Sequence, residues 1–307
     1  MKRMLLAIGL AAWVAAAFAA SGLAKTDGAA HHAATAAPTA VAKFPALPSY
    51  VKSRHHWVIG VKCDFPPFGF IDVRGQNAGY DVEVARTFAR LAFGSAKKVH
   101  FVCVTTPSRI PTLQSGRVDI IISTLTWTSA RAQVIDFSVP YYSATGRLLV
   151  PNDSSIHSLN DLAGKTVVTT RGALYATWMR NCFKSSTLLE VDSPTNAVLA
   201  VKNGQADTFM FDDAYVLGVA TMDPTLKLTD DKFLNVPWGI GIRKGDKAMD
   251  NWVNAGIRWM QKKDQFSKIL KNNAPKRLVG SFLGNTPRPG THFAYPVGKD
   301  PTADCSH

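Results

Sequence analysis

Asp119-Ile120-Ile121-Ile122-Ser123-Thr124-Leu125-Thr126-Trp127-Thr128-Ser129-Ala130-Arg131 is the stretch on which the reading of the fold turns. Its first half is a continuous apolar run opened by an acid, which predicts one fully buried parallel strand. Its second half gathers the hydroxyls of Ser123, Thr124, Thr126, Thr128 and Ser129 and ends in a guanidinium. Thr128 is placed to cap a short helical turn that carries Arg131. In open α/β sheets, ligands sit beyond the carboxyl ends of the strands. An arginine there can take a planar carboxylate through two parallel hydrogen bonds, with hydroxyls meeting the remaining lone pairs. The stretch predicts an anion-recognition edge, against the plainer reading of a surface turn rich in Ser and Thr.

Upstream, residues 57–62 read as a strand that Pro66 and Pro67 stop, leaving Phe65, Phe68 and Phe70 at its carboxyl edge. A helix is expected from Gly79-Tyr80-Asp81, with Asp81 as cap and Val84, Phe88 and Leu91 on its buried face. Residues 99–104 form a second strand, and Ile110, Leu113 and the stop at Gly116 outline a short helix. This β-α-β-α-β order implies a parallel sheet with right-handed crossovers. Downstream, a strand at 147–150 opens a second series, with strands near 165–169, 188–191 and 207–211. Helices are expected between and after them at 173–182, 194–203 and 213–221. Asn203-Gly204-Gln205-Ala206-Asp207 repeats the logic of Gln114-Ser115-Gly116-Arg117-Val118-Asp119: helix, glycine stop, then an acid entering a strand. Two lobes built alike follow from that repeat. A return strand at 237–243, an amphipathic helix at 248–260 and a shorter one at 266–270 come next. The tail from Pro287 reads as irregular.

The ends and the composition narrow the class. Lys2 and Arg3 precede an apolar run from Met4 to Ala20, and Ala17-Phe18-Ala19 offers a cleavage site, so residues 1–24 read as a secretory signal peptide. Residues 25–49 are rich in Ala, Thr, Pro and His, without period, and are expected to be a disordered linker. The 307 residues are 46% hydrophobic with a formal net charge of +13, enough for two lobes. The bases are scattered, with no run longer than Lys97-Lys98 or Lys262-Lys263, which argues against nucleic acid as a partner. No Cys/His spacing suggests a metal, and no cofactor is expected. The four cysteines, Cys63, Cys103, Cys182 and Cys305, permit two disulfides in an exported protein. Spacing leaves the connectivity open; Cys63 with Cys103, at two strand ends, and Cys182 with Cys305 is the arrangement carried forward.

The order Pro66-Pro67-Phe68-Gly69-Phe70, Gly79-Tyr80-Asp81-Val82-Glu83-Val84-Ala85, Arg109-Ile110-Pro111-Thr112-Leu113-Gln114-Ser115-Gly116 and Val118-Asp119-Ile120-Ile121 resembles the bacterial extracellular solute-binding proteins of family 3. The resemblance continues through Asp136-Phe137-Ser138, Leu159-Asn160-Asp161-Leu162-Ala163-Gly164-Lys165 and the stretch from Gly239 to Asp246. It implies an α/β, two-lobe periplasmic-binding-protein (type II) fold, with sheets flanked by helices and joined by two hinge strands. Lobe one is then residues 50–142 and 236–286, lobe two residues 143–235, and 287–307 an irregular tail. It also implies a periplasmic monomer that captures an amino acid and delivers it to the membrane subunits of an ABC permease.

Carried over by position, Arg131 is the clamp for the ligand α-carboxylate, and Ser123, Thr124 and Thr126 hydrogen-bond its polar groups. Phe65 covers its apolar body, Leu174 stands at the first lobe-two helix, and Asp212 takes the α-ammonium. The chain departs from the family pattern at Thr106, where an aromatic is usual, and at Arg171-Gly172-Ala173-Leu174, where a hydroxyl is usual. Arg171 beside the cleft would suit a second ligand carboxylate; a side chain simply facing solvent is the competing reading. An enzyme resembling cyclohexadienyl dehydratase is the alternative from another class, although Gly172-Ala173-Leu174-Tyr175 lacks the carboxylate that such relatives carry. A ligand-sensing subunit for a separate receptor is the third.

Overall fold

The computed structural model describes residues 44–306, so the expected signal peptide and most of the expected linker lie outside the described residues. Two sheets organise the chain. The first runs, in spatial order, Val99–Val104, Trp57–Lys62, Ile120–Ile121, Gly241–Arg243 and Ile135–Phe137. Its first three strands are parallel, and Gly241–Arg243 returns antiparallel between its two neighbours. The second runs Thr187–Val191, Thr166–Thr170, Thr208–Asp212, Tyr142–Pro151 and Leu226–Leu228. Helices Tyr80–Phe93 and Lys247–Lys262 pack with the first sheet; Leu174–Cys182, Pro194–Lys202 and Asp213–Met222 pack with the second.

The repeated acid has one physical job in both halves. Asp119 accepts from the backbone N–H of Val58 at 2.8 Å, and Asp207 accepts from that of Thr166 at 2.7 Å. Each carboxylate satisfies a backbone donor at the start of the neighbouring parallel strand, Val58 in the first half and Thr166 in the second. The glycine before each acid has a positive φ, 74° at Gly116 and 69° at Gly204, a conformation that glycine adopts without steric cost.

Two strands connect the halves. Tyr142–Pro151 leaves the first sheet and Phe233–Trp238 comes back, paired antiparallel with Tyr142 opposite Trp238 and Ala144 opposite Val236. Tyr142 and Trp238 also stack, with ring centroids 4.5 Å apart.

The structure adds elements beyond the sequence expectation. Phe44 packs its ring 5.6 Å from Trp252, and Ser49–Arg54 is a short helix with Val51 buried, so residues 44–49 of the stretch expected to be linker are part of the fold. Lys276–Leu283 is a further helix that buries Leu278 and Phe282. Asp81 does not cap its helix: Gly79 holds that position, and the fully buried Asp81 carboxylate instead accepts from Thr124 N–H at 3.0 Å and Tyr141 O–H at 3.1 Å.

The tail is irregular but tightly held. Gln261 donates to the carbonyls of Arg288 and Thr291, and Tyr295 O–H donates to the Ser138 carbonyl at 2.6 Å while stacking on Trp127. It then reaches the second half, where Trp178 Nε1 donates to the Asp304 carbonyl and Asn181 to that of Thr302. The disulfides are Cys63–Cys103 and Cys182–Cys305. The first joins two neighbouring parallel strands just past one end and inside the other. The second fastens the tail to helix Leu174–Cys182.

Candidate functional site

The carboxyl ends of the two sheets face each other across a narrow cavity lined by Thr106, Arg109, Thr124, Thr126, Leu174 and Asp212, together with Ala173, Tyr175 and Phe211. It has room for about one water molecule, so the two walls are nearly in contact.

One wall grows from the deciding stretch. Strand Ile120–Ile121 ends at Ser123, and Thr124 then takes φ 49°, a left-handed conformation that costs a β-branched residue on the order of 1–3 kcal/mol. The surroundings hold it there: Asp81 and Tyr141 accept from and flank its N–H, and Arg109 Nη1 donates to the carbonyls of Ser123 at 2.9 Å and Thr124 at 3.0 Å. The hydroxyls of Thr124 and Thr126 find no protein partner among the described residues, and the fully buried Ser123 Oγ is likewise unpaired. Thr128 caps helix Ser129–Val134 by accepting from Arg131 N–H at 3.2 Å, as its place in the sequence predicts.

Arg131 is partly buried. Its Nη1 donates to the Thr126 carbonyl at 2.6 Å and its Nη2 to the Gly172 carbonyl at 2.9 Å, so the guanidinium bridges the first and second halves of the fold. Burial depresses its pKa, as does repulsion from Arg109, while Asp212 acts in the opposite sense. Arg131 lies on an adjoining cavity that shares Ala173 and Leu174 with the first.

The facing wall holds Asp212. It occupies the cap position of helix Asp213–Met222, but its side chain makes no cap bond. Oδ1 instead accepts from Tyr175 O–H at 2.8 Å. Burial raises its pKa to about 7, against the Tyr175 bond and the charges of Arg109 and Arg131, which favour the ionised form. Asp213 adds like-charge repulsion in the same direction as burial.

Phe65 is fully buried and does not line the cavity. It packs on Phe68 and Trp238 from its own half and on Phe211 and Tyr215 from the other, with ring centroids 5.0–6.0 Å away. Arg171 turns outward and pairs with Asp192 at 3.1 Å on the exposed surface, so the second-carboxylate role open to it in the sequence is not supported. Three polar residues at the site escaped the sequence reading. In the sequence Arg109 stands just before an expected short helix, Tyr175 falls inside the helix expected at 173–182, and Lys62 is the last residue of an expected strand. No periodicity distinguishes such residues from scaffold.

The match to known proteins covers both walls. Residues 57–275 match the model of the bacterial extracellular solute-binding proteins, family 3. The chain belongs to this family. It is 33% identical over 223 residues to the ABC transporter glutamine-binding protein GlnH of Bacillus subtilis (strain 168), covering 72% of this chain and 82% of that one. It is 36% identical over 199 residues to a glutamine-binding protein of Geobacillus stearothermophilus, covering 64% of this chain and 76% of that one. Among solved structures, the solute receptor for L-cysteine of Neisseria gonorrhoeae superposes with a TM-score of 0.72 at 28% identity, over 74% of this chain and 93% of the other. A mutant of ArgBP from T. maritima gives 0.69 at 30% identity, over 73% and 97%. The family member described here has the type II, two-lobe α/β architecture of these neighbours.

Proposed function

We propose that the chain is the periplasmic receptor of an amino-acid ABC importer, taking one free amino acid between its lobes and passing it to the permease. The lobes in this reading are residues 50–142 with 236–286, and residues 143–235, hinged on Tyr142–Pro151 and Phe233–Trp238. One observation carries it: Asp212, at the cap of a helix it does not cap, is buried across a cavity from Thr124, Thr126 and Arg109, with Arg131 close enough to bias its titration. A zwitterion needs an acceptor at one end and a donor cluster at the other, and these stand on opposite lobes. Asp212 takes the ammonium. Arg131 takes the α-carboxylate once its guanidinium leaves the Gly172 carbonyl, and the hydroxyls of Ser123, Thr124 and Thr126 complete that end. Leu174, with Ala173 and Phe211, forms the apolar surround. Ligand contacts made from both lobes exist only in the closed state, so binding favours closure. The chain works as a monomer in this reading.

The glutamine-, cystine- and arginine-binding relatives support an amino acid as the cargo class. The family and these relatives are substrate-binding proteins, which supports carriage over catalysis. A thermal-shift screen of the twenty amino acids, followed by calorimetry, tests the reading. At least one ligand should raise Tm by several degrees and bind at micromolar concentration. No shift with any amino acid, or turnover of prephenate or arogenate, overturns it.

A further inference from the structure

Arg109 opens helix Arg109–Gln114, is 4% exposed, and lines the cavity. A guanidinium has five N–H donors in a rigid fork. Among the described residues, its two bonds both come from Nη1, to the Ser123 and Thr124 carbonyls, and no carboxylate pairs with it. Its Nε and Nη2 donors therefore have no protein acceptor. Behind it stands Lys62, the last residue of strand Trp57–Lys62 and fully buried. Lys62 Nζ donates to Thr106 Oγ1 at 2.9 Å and pairs with Asp64 at 3.0 Å. Thr106, the position where the family pattern has an aromatic, thus carries a hydroxyl anchored to an ammonium at the cavity wall. Burial pulls the Lys62 pKa down to about 8, and Arg109 adds to that lowering against the pull of Asp64.

The charges can be matched in pairs. Asp64 answers Lys62, and a bound zwitterion answers Arg131 and Asp212 with its two ends. The buried Asp81 carboxylate is taken up by Thr124 N–H and Tyr141 O–H and makes no hydrogen bond to Arg109, whose Nε and Nη2 donors are left for whatever enters the cavity. A buried guanidinium without an anion is costly, and removing its water must be offset by something that enters the cavity. A neutral side chain offers only a carbonyl, and a cationic one adds repulsion.

We propose that the ligand is an acidic amino acid, whose side-chain carboxylate is taken by the free donors of Arg109 with the Lys62–Thr106 pair beside it. This inference rests on the amino-acid-receptor reading above and deepens it. Arg109 is then a specificity-determining residue. A neutral isostere should lose affinity because it leaves that guanidinium desolvated and unpaired.

Titration calorimetry of the full chain at pH 7.5 with L-glutamate, L-aspartate, L-glutamine, L-asparagine and L-arginine tests it. Each acid should bind about 100-fold or more tighter than its own amide, and L-arginine should not compete. In Arg109→Gln both ligands should weaken, because the Ser123 and Thr124 carbonyls lose their donor, but the acid should lose about 100-fold more than the amide, which erases the preference. Where circular dichroism shows that variant unfolded, Lys62→Gln serves instead, with the acid-to-amide ratio dropping about 10-fold. An amide or L-arginine bound as well as or better than the acids overturns the inference and leaves the receptor reading intact. Equal losses for acid and amide in Arg109→Gln overturn it too, because Arg109 then only scaffolds the Ser123 and Thr124 carbonyls. Silence with every amino acid overturns the receptor reading, and this inference with it.

Discussion

The two walls of the cavity are built from the same α/β grammar and carry opposite chemistry. The first presents cations and hydroxyls, Arg109 and Arg131 with Thr106, Thr124 and Thr126, and Lys62 is buried beneath it on Thr106. The second presents one acid among rings, Asp212 with Tyr175 and Phe211. On the first wall the backbone is pinned, with Thr124 held in a left-handed conformation by Asp81, Tyr141 and Arg109. On the second, a single phenol orients the carboxylate. A symmetric pair of walls could close on any small solute. Opposite charges on opposed walls favour a molecule with two poles.

The largest expected effect breaks the physical tie between the halves. Replacing Cys182 and Cys305 by serine opens a loop with a sequence separation of 123. Chain entropy puts the loss near 5 kcal/mol in that model, which chemical denaturation should read as a lower midpoint. The same exchange at Cys63 and Cys103, separation 40, should cost about 1 kcal/mol less. Equal losses would show that tail contacts such as those of Tyr295 and Trp178, rather than loop closure, fasten the halves.

Next come the two poles themselves. Arg131→Ala and Asp212→Ala should each weaken ligand binding by about 3–5 kcal/mol, because each leaves a desolvated charge without its partner. Calorimetry at micromolar ligand should then show no heat. The double variant should lose less than the sum of the two, and strict additivity would show that one ligand does not link the walls.

The pH dependence separates the walls further. Asp212 is raised to about 7 from 3.8 by burial, so between those values the folded chain holds a proton that the unfolded chain has released. This group alone therefore makes the empty fold less stable as pH rises from about 4 to 7. Ligand binding runs the other way, since an ammonium needs the ionised carboxylate. Affinity should fall as pH drops below about 7, by up to tenfold per unit, with proton release on binding. The groups facing it are Tyr175, Asp213, Arg109 and Arg131. A flat profile from pH 8 to 5.5 would place the ammonium elsewhere.

The smallest effect tunes that profile. Tyr175→Phe removes the hydrogen bond that favours ionised Asp212. Binding should weaken by about 1–2 kcal/mol at pH 7, and the pH midpoint should move up. Recovery of wild-type affinity at pH 8.5 is the sharper reading, because the carboxylate is then fully ionised in both proteins.

What the chain order determined by itself was the architecture and the positions of the poles. A glycine stop followed by an acid, at Gly116 to Asp119 and again at Gly204 to Asp207, is an instruction satisfied by an N–H at the start of the neighbouring, earlier strand. Thr128 capping the turn of Arg131 is local. Such signals are readable because their partners lie within the same half of the fold. Tertiary structure decided the rest. Arg109, Lys62 and Tyr175 belong to the site only because two helices and a strand distant in the chain meet around one cavity, and Arg171 leaves it because Asp192 captures it at the surface. Phe65 turned from the cavity into a ring cluster spanning both halves, and the irregular tail became a fastened strap through Cys305. Charge and aromatic surface act through space, so their partners are set by what folding brings close and not by what is adjacent in the chain.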